Sequence, residues 1–148
     1  MQLSTVRILV VDDFALFRQF VVELLGERPE LQVVGEASDG LEALHMAVEL
    51  RPDLILLDIG LPSLNGIEVA RQMRSLVPES KIIFLSQESS ADVVQEALNL
   101  GALGYVTKTK AQAHLFAAVE AVLSGKTFVS NPSATANFNF PPERQFRN

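Results

Sequence analysis

Short apolar runs alternate with helically spaced apolar positions along most of the chain. Residues 6–11 form a β-rich run that Asp12 and Asp13 end. Residues 14–27 then set Phe17, Phe20, Val21, Leu24 and Leu25 on one helical face. A second strand is expected over 31–37, bounded by Ser38-Asp39-Gly40, and a helix over 41–50 that Arg51-Pro52 stops. The fully apolar stretch 54–57 reads as a buried strand ending at Asp58, and Gly60, Pro62, Asn65 and Gly66 mark the loop after it. The pattern then predicts a helix over 67–76, a strand over 81–85 ending at Ser86, and a helix over 91–100 with Gly101 as its stop. A short strand over 104–106 and a helix over 111–123, stopped by Gly125, complete the alternation.

Five strands alternating with five helices imply a parallel sheet covered on both faces. Right-handed crossovers make this a doubly wound α/β sandwich, for which the flavodoxin-like strand order 2-1-3-4-5 is expected. From Ser130 onward the pattern lapses into polar residues, prolines and isolated phenylalanines. The expected organisation is one compact domain over 1–129 and a linker or disordered tail over 130–148.

Composition narrows the classes. Of the 148 residues 48% are hydrophobic and 20% charged, enough apolar material for a packed core. There is no cysteine, which removes disulfides, thiol catalysis and thiolate metal sites. No apolar run reaches the length of a membrane span, and the first residues lack the basic start and apolar stretch of a signal peptide, so a cytoplasmic location is expected. A net charge of -6 argues against a general nucleic-acid surface.

Candidate chemistry collects at the carboxyl ends of the strands, where ligands bind in such sheets. Asp12 and Asp13 follow strand one, Asp58 follows strand three, Ser86 strand four, and Lys108 stands just past strand five. Three close carboxylates repel one another, and a divalent cation removes the conflict. Mg²⁺ favours carboxylate oxygen and water and often shares its shell with a phosphate. A carboxylate can also attack phosphorus to give an aspartyl-phosphate. The transferring group then needs cations and hydrogen-bond donors at its equatorial oxygens, and Lys108 and Ser86 are of that type.

Four stretches carry a resemblance: Ile-Leu-Val-Val-Asp-Asp at 8–13, Asp-Ile-Gly-Leu-Pro at 58–62 with Asn65-Gly66, Leu85-Ser86, and Gly-Ala-Leu-Gly-Tyr-Val-Thr-Lys at 101–108. Over about 6–125 the sequence resembles the receiver domains of bacterial response regulators. The resemblance implies that Asp58 accepts a phosphoryl group from a sensor histidine kinase or a histidine phosphotransfer protein, with Mg²⁺. It implies that Asp13 binds the metal directly, Asp12 largely through water, and Gly60 through its backbone carbonyl. Ser86 and Lys108 take the phosphoryl oxygens, and Ser86 and Tyr105 form the switch. The implied output surface is helix four, strand five and helix five, with a phosphorylation-dependent homodimer as one form of it. The protein would not be an enzyme beyond its own phosphorylation and dephosphorylation. The stretch 124–130 and the motif at 58–62 resemble the subfamily that carries a C-terminal helix-turn-helix DNA-binding domain. That domain is absent from these residues, so the expectation is a free-standing receiver or part of a longer regulator, with no direct DNA binding by this chain.

Two positions depart from the family pattern. Gln87 follows the strand-four hydroxyl where a small residue is usual, and Thr109 follows Lys108 where proline is common. Each candidate also admits a simpler reading. Asp12 and Asp13 could cap the first helix, Asp58 could be a strand-end acid, Ser86 a turn hydroxyl, Lys108 a solvated charge and Tyr105 a packed aromatic. His45 and His114 sit on separate helices without a carboxylate pattern and read as surface or groove residues. Two functions stand beside each other: a phosphorylation switch, and a pseudo-receiver that acts only as a protein-interaction module. A flavin-binding flavodoxin-like protein is third, and it would want a Gly-, Ser- and Thr-rich loop where Asp12-Asp13-Phe14 stands.

Overall fold

The first strand, β1 (Val6–Val11), has four consecutive buried residues at its end because it lies inside a sheet. A computed structural model describes residues 5–88 and 90–130. The elements that follow are α1 (Ala15–Leu25), β2 (Leu31–Ala37), α2 (Gly40–Leu50), β3 (Leu54–Leu57), α3 (Gly66–Leu76), β4 (Lys81–Ser86), α4 (Ala91–Asn99), β5 (Gly104–Thr107), α5 (Ala111–Leu123) and β6 (Phe128–Val129). A single 3-10 turn, Lys108–Lys110, joins β5 to α5. Among the described residues no helix is long and apolar enough to cross a membrane.

The chain divides into two compact units, Met1–Ile82 and Ile83–Asn148. In the first, β1 pairs in parallel with β2 on one side and β3 on the other, Val11 standing opposite Ala37 and Leu57. The register with β2 shifts by one residue between Ile8 and Leu9. All four residues of β3 are buried, as a strand covered on both faces requires. In the second unit, β4 pairs in parallel with β5, Ser86 opposite Thr107, and β5 pairs with β6, Tyr105 opposite Val129.

The strand order is β2-β1-β3-β4-β5-β6, the flavodoxin-like order with one strand added. The count of five strands is therefore corrected to six. β6 has only two residues, too few for a periodic signal, and it is defined by its partner β5. The boundary expected at Ser130 falls on a buried residue: its N–H donates to the Tyr105 carbonyl at 2.8 Å and its hydroxyl accepts from the Thr107 N–H at 2.9 Å. The rest of the expected tail, 131–148, lies outside the described residues.

Helix ends follow local chemistry. Asp39 caps α2 by accepting from the Glu42 N–H, and Asn65 caps α3 by accepting from the Glu68 N–H. Both helices begin one residue earlier than their apolar pattern, at Gly40 and Gly66. Gly66 lies so close to the Asp58 and Ile59 backbone that a Cβ there would come within 2.7 Å of the Ile59 Cα. The glycine thus lets the loop after β3 fold back onto the end of that strand.

Candidate functional site

In the first unit, the ends of β1 and β3 bring three acids together. The Asp12 N–H donates to the Ala37 carbonyl at 3.0 Å, and the Asp58 N–H donates to the Val11 carbonyl at 3.1 Å. Both peptides thus continue the sheet's ladder and aim their side chains from the same edge. Asp12, Asp13 and Asp58 each offer a carboxylate oxygen, and the three oxygens lie within 4.8 Å of one another. Asp12 is 3% and Asp58 5% exposed, while Asp13 faces solvent.

The helix-capping reading of the pair finds little support. The residue at the N-cap of α1 is Phe14, whose side chain makes no cap. Asp12 does accept from the Phe14 N–H at 2.9 Å, which fixes the turn ahead of the helix. Beyond β3, the Gly60 N–H leans toward the Asp58 carboxylate at 3.4 Å, and the space where a Gly60 Cβ would stand is open. Three carboxylates with two buried members form an all-oxygen donor set. That set fits a hard divalent cation, which takes oxygen ligands and readily keeps water.

Arg18, which sequence reasoning did not single out, also belongs to this edge. Its Nη1 donates to the Asp12 carbonyl at 2.6 Å and its Nε to Glu36 Oε1 at 3.0 Å. The available signal was a lone cation six residues after Asp12 on an otherwise apolar and neutral first turn.

In the second unit, Ser86 and Tyr105 meet on the backbone of one residue, Glu88. Ser86 Oγ accepts from the Glu88 N–H at 3.2 Å, and the Tyr105 hydroxyl donates to the Glu88 carbonyl at 2.7 Å. Ser86 is 2% and Tyr105 1% exposed. The tyrosine ring is turned inward and packs on Phe84, centroids 6.1 Å apart. Gln87 points to solvent, and Lys108 opens the 3-10 turn after β5, half-buried. No described peptide bond is cis, so the backbone at Lys108-Thr109 is trans. The role of Glu88 rests on its backbone, which no residue pattern reveals.

The histidines stay apart from both groups. His45 lines an open groove with Leu41, Leu44, Val48 and Leu76, and His114 sets its ring edge against Phe128, 5.8 Å between centroids.

The family model for the response regulator receiver domain matches residues 8–120. A putative transcriptional regulator of Pseudomonas aeruginosa is 40% identical over 119 residues, which is 80% of this chain and 57% of that protein. The DNA-binding transcriptional activator DevR/DosR of Mycobacterium tuberculosis is 38% identical over 131 residues, 88% of this chain and 60% of that protein. Among solved structures, a two-component response regulator of the LuxR family from Aurantimonas superposes with a TM-score of 0.82 at 36% identity. The match covers 86% of this chain and 91% of that one. The chain thus spans somewhat more than half the length of these curated relatives.

Proposed function

The chain belongs to the response-regulator receiver family, and from that premise we propose that it is a phosphorylation-dependent switch with Asp58 as the phosphoryl acceptor. The observation that carries the reading is the cluster of Asp12, Asp13 and Asp58, with oxygens within 4.8 Å and two members buried. Like charges held this close repel one another, and Mg²⁺ held by these acids and the Gly60 carbonyl would offset that repulsion. When bound, the metal neutralises charge on the carboxylates and on a phosphoryl oxygen.

An Asp58 carboxylate oxygen attacks phosphorus, the bond from phosphorus to the donor's imidazole nitrogen breaks, and that nitrogen keeps the electron pair and is reprotonated. The donor is a phosphohistidine on a sensor kinase or phosphotransfer protein. Asp12 and Asp13 hold the metal. Lys108 and Ser86 take the family's roles toward the phosphoryl oxygens. A serine hydroxyl has one proton and two lone pairs, so Ser86 can donate to a phosphoryl oxygen while still accepting from Glu88. The added charge of about -2 would then act on the loop that Ser86 and Tyr105 hold in common.

The compact domain expected over 1–129 carries this chemistry. The signal leaves through protein contacts of α4, β5 and α5, a homodimer among them, in the cytoplasm, and this chain does not itself contact DNA. The alternative is a pseudo-receiver that acts only as a protein-interaction module and takes up no phosphoryl group at Asp58. Intact-mass measurement after treatment with an acyl-phosphate donor and Mg²⁺ tests the proposal. The wild type should gain one phosphoryl group and Asp58→Ala none, while Asp13→Ala should react very slowly. Equal uptake by wild type and Asp58→Ala would refute the assignment.

A further inference from the structure

Arg18 takes no part in the acceptor chemistry above, yet it is bound to it from two sides. It stands in the first turn of α1, where a cation opposes the helix dipole at a cost in stability. Two charge-assisted hydrogen bonds offset that cost. One runs from Nη1 to the Asp12 carbonyl at 2.6 Å, the other from Nε to Glu36 Oε1 at 3.0 Å. The Arg18 side chain is 20% exposed and its Glu36 partner 46%. Glu36 is the neighbour of Ala37, whose carbonyl accepts from the Asp12 N–H. Asp12 is therefore held at its N–H by β2, at its carboxylate by the Phe14 N–H and at its carbonyl by Arg18. That carbonyl is part of the peptide that joins Asp12 to Asp13, the two acids that flank the cluster with Asp58.

We propose that Arg18, braced by Glu36, is a positioning residue that sets the Asp12–Asp13 peptide and so aims both carboxylates at a shared cation. The proposal rests on the reading of the three acids as a Mg²⁺ site. It differs in sign from the simple effect of charge. Removing a cation beside three carboxylates strengthens the local negative potential, which would tighten Mg²⁺ binding. Removing a group that orients the ligands weakens binding, by about 10-fold or more where such supporting contacts are lost.

Calorimetric titration of the full chain with Mg²⁺ alone, with no phosphodonor, separates the two. The expected result is saturable binding by the wild type and binding about 10-fold weaker in Arg18→Ala. Arg18→Lys keeps the charge but loses the planar fork that reaches both partners, and it should also bind more weakly than the wild type. Glu36→Gln should weaken binding least. In the metal-free Arg18 variants the amides of Asp13 and Phe14 should exchange faster while those of β3 keep their protection. If Arg18→Ala does not fold, the Lys and Glu36→Gln variants carry the same test. Binding in the variants as tight as, or tighter than, in the wild type would overturn the positioning role and leave the metal site standing. Absence of Mg²⁺ binding in the wild type itself would overturn the reading of the acids and this proposal with it.

Discussion

In the first unit the acids stand on peptides that the backbone holds: Asp12 and Asp58 donate into the ladder from adjoining strand ends, and glycine lets the next loop close on Asp58. In the second unit the polar groups are hydroxyls, and they hold other segments: Ser86 and Tyr105 grip the N–H and the carbonyl of Glu88, and Ser130 grips Thr107. The first arrangement fixes the place of charge through the backbone of Asp12 and Asp58. The second makes the position of a loop and of a chain exit depend on a few hydrogen bonds, each worth about 1 kcal/mol net. The proposed switch has use for both: a rigid place for the chemistry and a weakly held one for the response.

Substitutions that probe backbone against side chain sharpen this contrast. The largest effect is expected at Gly66, where an added methyl meets the Asp58 and Ile59 backbone. Gly66→Ala should cost about 3 kcal/mol in denaturant unfolding, and Mg²⁺ affinity should fall as the Asp58 loop shifts. At Gly60 the methyl meets nothing within 4 Å, and Gly60→Ala should stay within about 0.5 kcal/mol of the wild type. Equal costs at the two positions would mean that the loop after β3 is not locked by its backbone.

Ser130→Ala comes next. It leaves the buried Thr107 N–H without its acceptor, which costs about 1–3 kcal/mol. Thermal unfolding should show the loss, and hydrogen exchange should show it confined to β5 and β6. Tyr105→Phe is the smallest of the three destabilisations, about 1 kcal/mol, because it removes one hydrogen bond and keeps the packed ring. Its mark should be faster amide exchange at Gln87 and Glu88 with Mg²⁺ affinity unchanged. A fall in Mg²⁺ affinity in this variant would end the division of labour between the two units.

Much of this was readable from residue order. The bounds of β2, β3 and α5 follow from apolar period and from the Gly and Pro residues around them. Asp12, Asp13 and Asp58 declared themselves as acids at strand ends, where a backbone ladder must stop and a side chain can turn outward. Gly40 and Gly66 start their helices one residue before the pattern does, since glycine carries no side chain for a pattern to record. β6 escaped because its strand state comes from its partner β5 and not from its own two residues. Ser130 read as the start of a tail because Asn131-Pro132 follows it. Arg18 went unmarked, because its partners are a main-chain carbonyl and an acid from β2, which sequence spacing does not connect.

The central claim is that Asp58, and neither of its neighbours, takes the phosphoryl group with a divalent cation beside it. Borohydride reduction of the phosphorylated chain, followed by peptide mapping, reads the acceptor directly, because only an acyl-phosphate carboxyl is reduced to the alcohol. The account predicts reduction at Asp58 alone, dependent on Mg²⁺ and lost when the metal is chelated before the donor is added. Reduction at Asp12 or Asp13, or modification of Asp58 at the same rate without a divalent cation, would contradict it.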